Sequence, residues 1–137
     1  MQLQQIIFTN PNPENDFPSY SNQVMPRMLF DSVKAQKVFE ENKDSILQIV
    51  ESEITDYINN DELCNDFDNM FPQRSRLTGK WYIKSVYFEN EILSISSALL
   101  GLSWNLKPDD YLGLEIHFKY EQSDNQFIVY GVDSSCI

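Results

Sequence analysis

The segment Leu112–Glu121 constrains the fold more than any other part of the sequence, because apolar and polar side chains alternate along all of it. Alternation with a period of two is typical of a β-strand that buries one face and exposes the other. The turn-forming residues Ser123-Asp124-Asn125 follow, and residues 127–132 are again rich in β-branched and aromatic types. The sequence therefore predicts an antiparallel hairpin. Its apolar side is formed by Leu112, Leu114, Ile116, Phe118 and Tyr120.

The other side of this hairpin carries the only histidine of the chain, His117. A turn centred on Asp124-Asn125 pairs Tyr120 with Phe127 on the core side and brings His117 near Tyr130 on the other. Tyrosine is enriched in protein interfaces, so the face around His117 and Tyr130 is a candidate partner-binding surface. The alternative is an ordinary half-exposed sheet face, partly covered by the N-terminal segment.

A second hairpin is predicted in residues 80–100, where KWYIKSVYFE (80–89) is rich in aromatic and β-branched residues. Asn90-Glu91 marks its turn, and Gly101 ends the returning strand. Residues 2–8 (QLQQIIF) are compatible with a short strand. Residues 10–26 hold four prolines among Asn and Ser residues, which predicts an irregular segment that lies over the surface.

Helical spacing occupies the middle of the chain. Asp31 or Ser32 is a good N-cap for a helix that ends at Asn59-Asn60. A second, shorter helix is predicted over residues 61–70 and is stopped by Pro72. The apolar stripe of the first helix contains Phe39, Ile46, Leu47, Val50, Ile54, Tyr57 and Ile58.

Together these patterns predict a single α+β domain over residues 1–137. Two helices pack on one face of an antiparallel sheet made of two hairpins, with a short N-terminal strand added to it. A chain of 137 residues is long enough to bury a sizeable core. Aromatic residues make up 13% of it, which favours a packed globule over a disordered chain.

The charge of the chain is concentrated in the helical region. Residues 40–68 contain ten acids and one base, a net charge of −9 out of −11 for the whole chain. In the first helix Lys34 and Lys37 precede the acids, which opposes the helix dipole at both ends. Glu40, Asp44 and Glu51 fall within about 40° of one another on the helix. Stability alone favours acids at the start of the helix and bases at its end, so the stripe of Glu40, Asp44 and Glu51 is a candidate docking surface. The alternative is a solvated helix face that serves solubility.

We therefore expect a protein partner, most simply a basic one, because complementary charge raises the rate and specificity of association. A monomer or a weak homodimer is expected. Nucleic acids and anionic membranes repel such a chain, and no cofactor is indicated. The candidate partner-binding residues are Glu40, Glu41, Asp44, Glu51, Asp61, Glu62, Asp66, Asp68, His117 and Tyr130.

Several chemistries lack their sequence signatures. There is no catalytic motif such as GxSxG or HExxH, no phosphate-binding glycine loop and no calcium-loop spacing. Cys64 and Cys136 belong to no metal-binding cluster and are expected to be reduced in a cytoplasmic protein, since no secretory signal is visible; the alternative is a disulfide between them. Trp81 and Trp104 are expected to be core or loop anchors.

A resemblance also bears on function. In size, acidity, α+β pattern and stretches such as GLEIHFKYE (113–121) followed by FIVYG (127–131), the chain resembles the small acidic immunity proteins of bacterial toxin systems. This resemblance implies a cognate toxin domain as partner, inhibition by occupying or flanking its active site, and no catalytic activity. A third option is an acidic chaperone or a subunit of a larger assembly, with a large apolar dimer face. The main alternative is a cone-shaped α+β ligand-binding domain or enzyme with a pocket near His117. An enclosed, partly apolar cavity of about 300 Å³ or more that His117 faces would distinguish it.

Overall fold

The computed structural model describes residues 5–9, 24–59, 80–99 and 112–136. Within them one long helix packs against a six-stranded sheet. The elements in chain order are β1 (Gln5–Ile7), β2 (Arg27–Phe30), α1 (Val33–Asn59), β3 (Lys80–Glu89), β4 (Ile92–Leu99), β5 (Leu112–Glu121) and β6 (Gln126–Cys136).

The sheet is mixed. Its main order is β1-β3-β4-β5-β6, and the three pairs from β3 to β6 are antiparallel. Both N-terminal strands run parallel to β3 and share one edge of it: β1 pairs with residues 80–82 and β2 with residues 85–88. The two short strands therefore lie end to end along β3.

The predicted architecture of two helices on an antiparallel sheet of two hairpins was wrong. The described residues contain one helix, and β1 and β2 make the sheet mixed. The sequence concealed β2 because four residues after Pro26 are too few to show alternation, and parallel pairing to a remote strand leaves no local turn signal. The helix predicted over residues 61–70 lies outside the described residues, as do residues 10–23 of the predicted irregular segment.

The start of α1 was predicted correctly, and its cap is visible. Ser32 Oγ accepts a hydrogen bond from the Ala35 N–H at 3.0 Å, which satisfies one of the donors left open at a helix start. The predicted apolar stripe is confirmed along the inner side of the helix, with Leu47 only partly buried; the side chain of Ile58 lies outside the described residues. The buried residues of this side are Ala35, Phe39, Ile46, Val50, Ile54 and Tyr57.

The core lies between α1 and one face of the sheet, here called the inner face. The alternation predicted for β5 is confirmed, because Leu114, Ile116 and Phe118 are at most 1% exposed while His117 points to the opposite face. Trp81 is fully buried, as predicted. Burying a large apolar side chain contributes about 1.5–3 kcal/mol, so this layer is the main source of stability. The other fully or nearly fully buried residues of the inner face are Ile83, Val86, Phe88, Leu93 and Ile95.

Both predicted hairpins are confirmed. Asn90 and Glu91 have φ angles of 51° and 65°, the conformation of a two-residue type I′ turn. In the C-terminal hairpin Tyr120 pairs with Phe127, as predicted. A bulge at Tyr130 then shifts the register, so that His117 pairs with Gly131.

Candidate functional site

The structure places those predicted partner-binding residues that it describes on two opposite sides of the molecule. Because α1 covers the inner face of the sheet, its exposed acids lie on the side away from the sheet, and Glu40, Glu41 and Asp44 form what is here called the acidic helix face. His117 and Tyr130 lie on the other side of the sheet, here called the outer sheet face. A third group, Asp61, Glu62, Asp66 and Asp68, lies outside the described residues.

The acidic helix face is open to solvent. Glu40, Glu41 and Asp44 are all exposed, and within the described part of the chain none of them forms an ion pair. Glu40 and Asp44 are also four residues apart on the helix, a like-charge pair that costs a few tenths of a kcal/mol. These carboxylates therefore create a negative field that no ion pair within the described residues compensates.

Glu51, the fourth acid expected in this group, has a structural contact instead. Its Oε2 atom accepts a hydrogen bond from the Ile6 N–H at 3.0 Å. Nearby, the Lys43 Nζ atom lies 3.6 Å from the centre of the Phe8 ring. These two contacts hold the N-terminal strand region against α1, so Glu51 is less available to a partner than the acidic helix face.

The charges of α1 oppose its dipole, as predicted. The first turn contains no acid and the last turn contains no base. Near the C-terminal end, partial burial raises the pKa of Glu53, and the negative charge of Asp56 raises it further. The helix therefore holds its negative charge at a cost to its own stability.

The outer sheet face contains a chain of three hydrogen-bonded side chains from three neighbouring strands. The Ser94 hydroxyl on β4 lies 2.8 Å from His117 Nδ1 on β5, and His117 Nε2 lies 2.9 Å from Asp133 Oδ2 on β6. Ser94 and His117 are direct cross-strand partners. An ionised carboxylate has no proton to donate, so in an uncharged His117 the contact with Asp133 favours the tautomer with the proton on Nε2. Nδ1 is then free to accept the Ser94 proton.

His117 is held from other sides as well. The Tyr130 ring lies 5.9 Å from the imidazole, centre to centre, and Glu115 Oε1 lies 3.7 Å from Nε2. The side chain of His117 is only 20% exposed, whereas that of Asp133 is 75% exposed. The imidazole is thus fixed in orientation while its carboxylate partner faces solvent.

A shallow groove of about 390 Å³ adjoins this chain of side chains on the outer sheet face. Leu29, Tyr87 and Ile92 supply its apolar walls, and Ser94 lines it. The groove is open rather than enclosed, and His117 reaches it only through Ser94. Tyr120 lines a separate hollow of about 200 Å³ beside the start of α1.

Sequence reasoning found His117 and Tyr130 but missed Ser94 and Asp133. Ser94 is 23 residues from His117, and only the pairing of β4 with β5 aligns the two. Asp133 was missed because the last strand was predicted to end at Val132, whereas β6 runs to Cys136. A prediction of strand register could have found both residues, because it would have placed a serine of β4 and an acid of β6 on the same sheet face as His117.

Other site types find no support in the described residues. They contain no group of three His, Cys, Asp or Glu side chains that could hold a metal ion. None of the helices in the described ranges is long and apolar enough to cross a membrane. The side chains of Cys64, Cys136 and Trp104 lie outside the described part of the chain.

Comparison with known proteins finds no matching family model, no matching curated protein and no matching solved structure.

Proposed function

We propose that this protein is a protein-binding inhibitor that docks a basic partner on its acidic helix face. In its most specific form, the proposal is an immunity protein that neutralises a basic bacterial toxin domain in the cytoplasm. The observation that carries the proposal is the cluster of three exposed carboxylates, Glu40, Glu41 and Asp44, which have no ion pair among the described residues.

The cost of this arrangement supports a role in association. Like charges at Glu40 and Asp44 repel each other, and the acids further along α1 oppose the helix dipole. Neither feature helps the fold. Both strengthen a negative field that attracts a basic partner, and such fields raise association rates by about 10- to 1,000-fold.

The acidic helix face is also well supported from behind. Phe39 and Ile46, on the same part of α1, are completely buried against the sheet. The helix backbone that carries the acids is therefore fixed before a partner arrives, so little order has to be gained on binding. A fixed helix can inhibit by covering the partner's active site or the surface beside it, and inhibition of this kind needs no chemical step.

The test starts with a pull-down from the native source at low and high salt, which should capture a basic protein that high salt releases. Association of that protein is then measured for the E40K/E41K/D44K variant by surface plasmon resonance. We expect its association rate to fall at least tenfold, because the attractive field is reversed.

The matched control is the E89K/E91K/E121K variant, which changes the net charge equally but leaves the acidic helix face intact. We expect it to change the association rate less than threefold. An equal loss in both variants, or no loss in either, would overturn the proposed docking face. Failure to capture any basic protein at low salt would overturn the proposed function.

A further inference from the structure

The geometry points to a second activity on the opposite side of the molecule: Ser94, His117 and Asp133 form an acyl-transfer site that hydrolyses small activated esters with short apolar acyl groups. This inference stands independently of the proposed docking by the acidic helix face. It rests on the hydrogen-bonded chain of the three side chains and on the groove beside Ser94.

The three side chains have the connections that nucleophilic catalysis requires. A serine hydroxyl is a weak nucleophile until a base accepts its proton, and a third group must orient that base. Ser94 Oγ lies 2.8 Å from His117 Nδ1, within the range for direct proton transfer. Asp133, 2.9 Å from Nε2, holds the tautomer that leaves Nδ1 unprotonated. Compared with the familiar serine hydrolase triad, the two imidazole nitrogens exchange roles.

The reaction proceeds in two balanced halves. As Ser94 Oγ bonds to the ester carbonyl carbon, its proton moves to His117 Nδ1, and Asp133 stabilises the imidazolium. The bond to the alcohol then breaks, and the departing oxygen takes the proton from His117. In the second half, His117 accepts a proton from water as that water attacks the acyl-Ser94 ester. The carboxylic acid leaves, and the proton returns to Ser94 Oγ.

The groove determines the class of acyl group. Ser94 lines it together with the apolar side chains of Leu29, Tyr87 and Ile92, and the polar residues Glu89 and Asn90 lie at the same groove. A short hydrocarbon chain fits in its volume of about 390 Å³ and removes apolar surface from water. The alcohol oxygen of the ester lies beside His117 Nδ1, the atom that returns the proton to it, and the rest of the alcohol portion extends to solvent.

The sheet also limits the leaving group. Ser94 lies in β4, which has β3 on one side and β5 on the other, so its N–H belongs to the strand ladder. That N–H cannot also stabilise a developing oxyanion, a contribution usually worth about 100- to 1,000-fold in rate. The substrates are therefore esters with a good leaving group, such as phenyl or nitrophenyl esters.

The experiment uses 4-nitrophenyl butyrate as the substrate and a fluorophosphonate as the covalent probe. We expect nitrophenol release above the buffer rate and a phosphonate adduct that peptide mass spectrometry locates on Ser94. The S94A and H117Q variants should each lower the rate at least tenfold. S96A is the matched control, because Ser96 lies on the same strand and face opposite Glu115; its rate should stay within twofold of the wild type.

Asp133 is a positioning residue, and its variants test that role separately. D133N should lower kcat with little change in KM, because it weakens the preference for the productive tautomer; D133E should restore part of the lost rate. An adduct on another residue, or S94A activity equal to the wild type, would overturn the inference. The adduct is measured on the unsubstituted chain, so the test holds even if a variant fails to fold.

Discussion

The acidic helix face and the outer sheet face use polar side chains in opposite ways. On the helix, Glu40, Glu41 and Asp44 are exposed and have no ion pair within the described residues. On the sheet, Ser94, His117 and Asp133 bind one another at 2.8 and 2.9 Å. Unpaired charges act at a distance and suit the attraction of a partner, whereas a bonded chain fixes direction and suits proton transfer. The two proposals therefore assign recognition to the acidic helix face and acyl transfer to the outer sheet face.

The largest effect is expected from the layer that both faces share. Phe39 is fully buried between α1 and the sheet. Phe39→Ala should lower the free energy of unfolding by about 3–5 kcal/mol, because it removes apolar contacts and leaves a cavity. Urea unfolding measures the loss. Val33→Ala, at a helix position that is 84% exposed, should cost less than about 0.5 kcal/mol; equal losses would contradict the proposed layering.

A smaller effect should separate two acids of the same helix. Glu51→Ala should lower the free energy of unfolding by about 1–2 kcal/mol, because the Ile6 N–H loses a charged acceptor at 3.0 Å. Glu40→Ala removes an unpaired acid and should be neutral or slightly stabilising. Thermal unfolding of both variants checks this. If Glu40→Ala costs as much as Glu51→Ala, the two acids do not differ as described.

Ser94 and Ser96, the two serines that β4 places on the outer sheet face, should differ in how much they contribute to the free energy of unfolding. Ser94→Ala should lower the free energy of unfolding by about 1 kcal/mol, because His117 Nδ1 loses its hydrogen-bond partner. Ser96→Ala should change it by no more than a few tenths of a kcal/mol. Chemical denaturation provides both values, and a larger loss for Ser96→Ala would contradict the assigned hydrogen-bond chain.

The smallest effect concerns Glu53, whose raised pKa shows that the fold disfavours its charge. The resulting penalty is present above the folded-state pKa and disappears below the ordinary value near 4.5. Glu53→Gln should therefore stabilise the protein by a few tenths of a kcal/mol at pH 7, since solvent screens this partly exposed group. The gain should shrink to nothing as the pH falls below 4.5. Unfolding curves at pH 7 and pH 4 test this; a gain that grows at pH 4 would contradict it.

The sequence predicted the elements whose signals are local. Alternation along Leu112–Glu121 located β5, and Ser32 with the apolar stripe behind Phe39 located α1. Asn90-Glu91 located a turn, although neither residue is glycine. In each case the residues that specify the structure are neighbours in sequence, so periodicity and turn chemistry suffice.

Pairing between strands that are far apart in the sequence could not be predicted from these local patterns. β2 has only four residues, and its partner is a parallel strand far along the chain, so the mixed sheet was not predicted. The candidate site was half predicted for the same reason. His117 was recognised as the only histidine of the chain, but its hydrogen bonds to Ser94 and Asp133 depend on the register of three strands. Residue type identifies candidates, and pairing decides which of them meet.

The position of β1 and β2 on one edge of β3 also governs how the chain can fold as it is made. Gln5 pairs with Lys80 and Arg27 pairs with Ser85, so both strands leave the ribosome long before their partner. At 5–20 residues per second the delay is on the order of 3–15 seconds. The hairpins β3–β4 and β5–β6 close over short distances and can form first. A nascent chain that stops before Lys80 leaves its N-terminal strands with no sheet to join.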